Sequence, residues 1–122
     1  MRTGKLYLLE GQLRRLLLDT VMQTDTMLER MRGLLWRRPL TGEEALIIDK
    51  CGSVHTCGIK YPLDLAFIDR QSIVRKLVRR LQPWRMAWCF SAVMTLEMPP
   101  GLIDQLKLEV GMRLLWQEST GE

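Results

Sequence analysis

The chain has 122 residues, enough for one domain that buries a single core without covalent staples. Hydrophobic residues make up 47% of it, which excludes a disordered chain, and 18 Lys and Arg against 14 Asp and Glu give a formal charge of +4. The basic pairs Arg14-Arg15, Arg37-Arg38, Arg75-Lys76 and Arg79-Arg80 are spread along the sequence, as on a solvated surface, which excludes a polybasic tail.

Residues 5–9 and 13–19 are short apolar runs on either side of Glu10-Gly11-Gln12, the spacing of a hairpin with a glycine-containing loop. Glu10, Gly11, Arg14 and Arg15 also interrupt the apolar region that a secretory signal needs, so a cytoplasmic location is expected. Thr26 and Glu29 stand three apart as a capping box, and Met27, Leu28, Met31 and Leu35 fall near helical spacing. A short helix near residues 26–33, ended by Gly33, is predicted. After a polar turn at 41–44, residues 45–49 read as a buried strand, broken by Cys51-Gly52-Ser53.

Residues 63–68 form the next strand, with Leu63, Leu65 and Phe67 on one face and Asp64, Ala66 and Ile68 on the other. Beyond the turn at 69–72, two signals compete over residues 73–81. Ile73, Val74, Leu77, Val78 and Leu81 recur at helical spacing, whereas the turn and three β-branched residues favour a strand, which is the assignment adopted. From 84 to 98, Trp88, Phe90, Ala92, Met94, Leu96 and Met98 alternate with Cys89, Ser91, Val93, Thr95 and Glu97, predicting one long strand with Trp88 on its apolar face. Its longest weakly polar stretch, 86–96, is far below the ~20 residues that span a bilayer as a helix, and no membrane partner is expected. Pro99-Pro100-Gly101 ends that strand, a helical turn follows at 102–107, and 112–116 supply a last strand. The expected architecture is mainly β (α+β): one domain over residues 1–122, a compact antiparallel β barrel or sandwich with one or two short helices.

The segment CGSVHTCGIKYPLDLAFID, residues 51–69, holds the only histidine and two of the three cysteines. It resembles the signature of domain of unknown function 192, a prokaryotic family whose members carry His-Thr or Trp-Met shortly before Pro-Leu-Asp or Pro-Ile-Asp. His55, Thr56, Pro62 and Asp64 occupy those positions. Asp25, Thr26, Arg30, Gly33, Leu34, Leu35, Arg37 and Leu40 are similar to a second family signature, and Leu96-Glu97, Gly101 and Gly111 to its closing pattern. Pro100 and Met112 depart from the usual alanine and aspartate. The resemblance runs from about residue 24 to 115 and implies a strand at 73–81; it implies a fold and no particular activity.

Several constellations could carry chemistry. Cys51, His55, Cys57 and Cys89 have the donor types of a zinc site, but no two cysteines stand two to four residues apart, so neither metal nor cofactor is expected. Three cysteines are also too few for a disulfide scaffold, in keeping with a reducing compartment. Cys51, His55 and Asp64 are the residue types of a nucleophile, a base and its orienting acid. Equally, the His55 ring can bridge backbone groups and Asp64 can accept backbone N–H groups after Pro62. Trp36, Trp84, Trp88 and Trp116 among arginines suggest stacking on single strands, but their apolar neighbours favour core or rim packing, and nucleic acid is not expected as a partner. Trp84 and Arg85, after Pro83, are residue types favoured at interface hot spots. The leading expectation is a cytoplasmic binding or protein-interaction module, for a protein or small-molecule partner, with its surface at His55, Thr56, Lys60, Asp64, Trp84 and Arg85. The alternative is an enzyme using Cys51, His55 and Asp64.

Overall fold

The structure is a computed structural model and describes residues 2–24, 40 and 42–119. The expected hairpin opens the chain as β1 (Arg2–Glu10) and β2 (Leu13–Gln23), paired from Glu10↔Leu13 to Arg2↔Gln23. There follow β3 (Glu44–Asp49), β4 (Ser53–His55), β5 (Leu63–Ile68), β6 (Val74–Leu81), β7 (Met86–Trp88), β8 (Met94–Met98), the helix α1 (Leu102–Leu106) and β9 (Arg113–Glu118). Seven strands make one sheet in the order β6-β5-β8-β3-β2-β1-β9, and β4 pairs with β7 in a second, two-stranded sheet. Every ladder is antiparallel except β2–β3, which is parallel.

The large sheet curls until its edges meet. Ile73 bridges Arg113, and Val74 N–H donates to Met112 O at 2.8 Å while Gly111 N–H donates to Val74 O at 2.8 Å. No continuous ladder joins β6 to β9, so the sheet is open and is not a closed barrel. The helix expected near 26–33 lies outside the described residues. Among the described residues no helix is long and apolar enough to cross a membrane.

Alternation along the central strands produces two cores, one on each face. On β5, Leu63, Leu65 and Phe67 enter the cluster with Leu46, Ile48, Val54 and Ala87, whereas Ala66 and Ile68 enter the inner cluster with Leu6, Leu18, Val21, Ile47 and Leu96. The face assignment read from the sequence therefore holds, and both faces of β5 are buried. β6 is a strand despite its helical spacing of apolar residues. Its ladder with β5 shifts register twice, between Leu63 and Leu65 and between Phe67 and Ile68, so strict alternation is not required of it.

The single strand expected over 84–98 is not formed. β7 and β8 belong to different sheets, separated by residues 89–93, where Cys89 N–H donates to Gly52 O and Ala92 N–H to Cys89 O. The chain crosses here from the outer two-stranded sheet to the main one. Gly52 permits that crossing, because a Cβ on it would lie 2.9 Å from Ala92 O. Trp88 consequently points away from the core, while Ala87 and Val54 are the β7 and β4 residues that face inward.

At the other end of the sheet the Trp116 indole lies across β1 and donates to Val21 O on β2 at 2.9 Å. A Cβ on Gly4 would meet the ring at 2.7 Å and Gln117 O at 2.4 Å. Gly4→Ala should thus lower stability by about 1–3 kcal/mol through overpacking, read as a reduced urea midpoint; an unchanged midpoint would refute this packing.

Candidate binding surface

Asp64 is fully buried on β5, opposite Met98 of β8. One carboxylate oxygen accepts Arg80 N–H at 2.9 Å, and the other accepts Gly101 N–H and Ile103 N–H, each at 3.0 Å. A carboxylate is an acceptor-only group, so it satisfies three donors at once and fastens β5, the distal part of β6 and the first turn of α1.

Thr56, also fully buried, clasps the segment after Pro83. Its N–H donates to Arg85 O at 2.9 Å, its carbonyl accepts Trp84 N–H at 3.2 Å, and its hydroxyl accepts Arg85 N–H at 2.9 Å while donating to Gln82 O at 2.6 Å. Trp84 has φ of 62°, a left-handed conformation that a tryptophan adopts only when its surroundings hold it there. The buried threonine thus fixes the Trp84–Arg85 corner, leaving both side chains exposed.

From that corner runs an apolar stripe. In the β4–β7 ladder, His55 lies opposite Met86 and Ser53 opposite Trp88, all four exposed, while Val54 and Ala87 are buried beneath. Trp84 is 68% exposed, Met86 61%, Trp88 50% and Phe90 97%. Of the seven exposed large hydrophobic side chains among the described residues, four fall within these seven positions, which makes a patch and not scatter. Lys76 Nζ donates to Trp88 O at 2.9 Å and stands 5.8 Å from the indole centroid, and Lys60 is exposed as well. Sequence reasoning missed Met86 and Phe90 because their alternation with smaller residues looks like a core face.

The residues offered for catalysis form no hydrogen-bonded set. Cys51 Sγ donates to Ser53 O at 2.8 Å, both Asp64 oxygens are occupied by backbone, and His55 is exposed; among the described residues no hydrogen bond links the three. Cys89 Sγ lies 3.4 Å from Ser91 Oγ, and Cys57 is exposed. No group of three or more His, Cys, Asp and Glu among the described residues could hold a metal ion.

Two other acids matter to the scaffold. The Ile73 N–H, followed by the Arg75 guanidinium and Gln71 N–H, holds the buried Asp69 carboxyl below its usual range. Glu97 on β8 is flanked by the fully buried Leu46 and Leu65, and its Oε2 has no hydrogen-bond partner among the described residues. Burial pushes its carboxyl up to about 7.

Asp64→Ala would strand three N–H groups and should cost about 3 kcal/mol or more in a denaturation titration, with Asp64→Asn falling between; a loss below about 1 kcal/mol would contradict the fastening role. For Glu97, the folded state binds more protons than the unfolded one between the ordinary carboxyl value of 4.5 and about 7. Stability is therefore greatest below that window and falls, by about 3 kcal/mol, as pH rises through it. Melting temperature should drop from pH 5 to pH 8, and Glu97→Gln should flatten that dependence; an identical slope in the variant would count against it. Asp69 titrates below this window and does not confuse the reading.

Comparison with known proteins places this geometry. A solved structure from Sinorhizobium meliloti 1021, a protein named there as a candidate transcription regulator, superposes with a TM-score of 0.78 at 20% identity, covering 93% of each chain. A protein of unknown function from Novosphingobium aromaticivorans DSM 12444 gives 0.73 at 19% identity, covering 92% of this chain and 84% of the other. At such identities the likeness establishes the fold. No curated protein matches the sequence. Residues 12–116 match domain of unknown function 192, described as an uncharacterized ACR, a span that contains Thr56, Asp64 and Glu97. With most of its length matched, from the second strand of the opening hairpin to Trp116, the chain belongs to the domain of unknown function 192 family.

Proposed function

We propose that the chain is a small, single-domain binding module whose contact surface is the outward face of the β4–β7 sheet together with the Trp84–Arg85 corner. The observation that carries this reading is the exposed stripe of Trp84, Met86, Trp88 and Phe90 on backbone that the buried Thr56 and the β4 ladder hold in place. Large apolar side chains gain nothing by standing in water, and a rigid backbone lowers the entropy lost on association. Trp and Arg side by side are also the residue types that dominate interface energetics. His55 and Lys60 lie on the exposed parts of the same layer, whereas Thr56 and Asp64 serve as its internal supports. The three unpaired thiols, Cys51, Cys57 and Cys89, accord with a reducing, cytoplasmic setting. An enzyme built on Cys51, His55 and Asp64 has less support, because the Asp64 oxygens are spent on three amides and the His55 ring stands in solvent.

Replacing Trp84, Met86, Trp88 and Phe90 with serine should leave the melting temperature and cellular level of the protein close to those of the wild type. The same chromosomal replacement should reproduce the proteome change caused by deleting the gene. A stable variant that fully complements the deletion would refute the binding surface.

A further inference from the structure

Building on the binding surface above, we propose that its partner is single-stranded nucleic acid. Two independent properties of the outer layer converge on an anionic polymer with flat, stackable faces.

The first is charge. Residues 50–96 contain eight Lys and Arg and only two acids, a net of +6 against +4 for the whole chain, so the rest of the molecule is net negative. Both of those acids are removed from the surface: Asp64 is fully buried on three backbone amides, and Asp69 is buried and paired with Arg75. Residues 50–96 therefore contribute no exposed acid, while Lys60, Arg70, Lys76 and Arg85 are all exposed; the exposed Asp104 beside them is paired with Arg79. Arg70 and Arg75 also line an open hollow with Asp69, Gln71 and Ser91, where the Asp69 carboxylate is paired with Arg75. This segregation was hidden in the sequence, where the basic pairs look evenly spread and only the fold shows that the interspersed acids turn inward.

The second is the aromatic rings. The sequence expectation of Trp88 on the apolar side of a long strand is one of the grounds against nucleic acid, beside the apolar neighbours of the other tryptophans; in the structure Trp88 faces solvent, as do Trp84 and Phe90. Every base has a π face, so exposed rings bind bases with little regard for sequence, and neighbouring cations track the phosphates. Lys76 is held beside Trp88 by its bond to the Trp88 carbonyl, which keeps a positive charge at the edge of one such ring. A duplex would satisfy the charges but hides its base faces within its own stack. The one helix among the described residues, α1, has five residues and leaves little to lay in a major groove. An acidic peptide would match the charge but leave the rings without flat partners.

The test uses the full chain and a fluorescein-labelled oligothymidylate of about 12 nucleotides, followed by anisotropy at several salt concentrations. Binding is expected, weaker for a duplex of equal length. Trp84→Ala and Phe90→Ala, both at exposed positions and expected to unfold at the wild-type temperature, should each weaken it about fivefold to a hundredfold. Lys76→Gln and Arg85→Gln should each reduce the logarithmic salt slope by about 0.7. Absence of binding overturns the inference, as does binding that ignores the aromatic replacements or that favours the duplex. Preferential binding to phosphatidylglycerol vesicles over the oligonucleotide also overturns it, and would reassign the surface to a membrane. If no anionic probe binds while the four-serine variant still behaves as a gene deletion, nucleic acid is excluded and the binding surface stands.

Discussion

Three backbone N–H groups from two separate elements end on one buried carboxylate, and the middle of the molecule is organised by that fact. Asp64 sits where β5 lies between β6 and β8, and it takes in Arg80 from β6 and Gly101 and Ile103 from the start of α1. Burying a carboxylate is costly unless hydrogen bonds replace the water it loses, and three amide donors at 2.9–3.0 Å do so. In return, the left-handed turn at Arg80 and the one at Gly101 each acquire a fixed partner. The segment from Gln82 to Phe90 leaves β6 at a position set by this fastening, and everything proposed about the surface depends on where that segment lies.

A second clasp holds the beginning of the same segment. Thr56 closes five hydrogen bonds onto Gln82, Trp84 and Arg85 from a site without solvent access. Two of the four signature residues of the 51–69 segment, Thr56 and Asp64, are thus internal supports, and what they support is the exposed corner and stripe. This separates Thr56 and Asp64 from the residues that would touch a partner, whereas His55 belongs both to the family pattern and to the exposed layer. Support positions tolerate almost no substitution because their donors and acceptors are buried, whereas Trp84, Met86 and Phe90 stand in water and are free of that constraint.

Glu97 is the opposite case. It lies on the same face as Leu46 and Leu65, in the outer core, with burial opposing its charge and one oxygen lacking a partner among the described residues. Asp64 and Glu97 stand on adjacent strands, yet one has both oxygens taken up by backbone amides and the other is pushed toward its neutral form. The difference lies in the pleat: Asp64 points toward the inner face near the turn into α1, where free N–H groups are available, and Glu97 points to a face whose donors are already used in ladders.

The β class, the opening hairpin, the two faces of β5, the helical turn after Gly101 and the closing strand are legible in the residues, from turn composition and local periodicity, whereas the strand at 73–81 is adopted against its helical spacing on its β-branched residues, the turn before it and the family resemblance. The sequence also identified Asp64 as an acid suited to backbone N–H groups, from its place after Pro62 among apolar neighbours. Which sheet a strand joins is not a local property. The alternation from Trp84 to Met98 continues unbroken through residues 89–93, so the sequence contains no sign that β7 pairs with β4 while β8 pairs with β3 and β5. Only that change of partners turns Trp88 and Phe90 outward. The same holds for charge: side-chain direction across two faces, decided by pairing, buries Asp64 and Asp69 and leaves the lysines and arginines around them in solvent. Tertiary structure decided the surface because a period of two says that neighbours face opposite ways, but not which way is out.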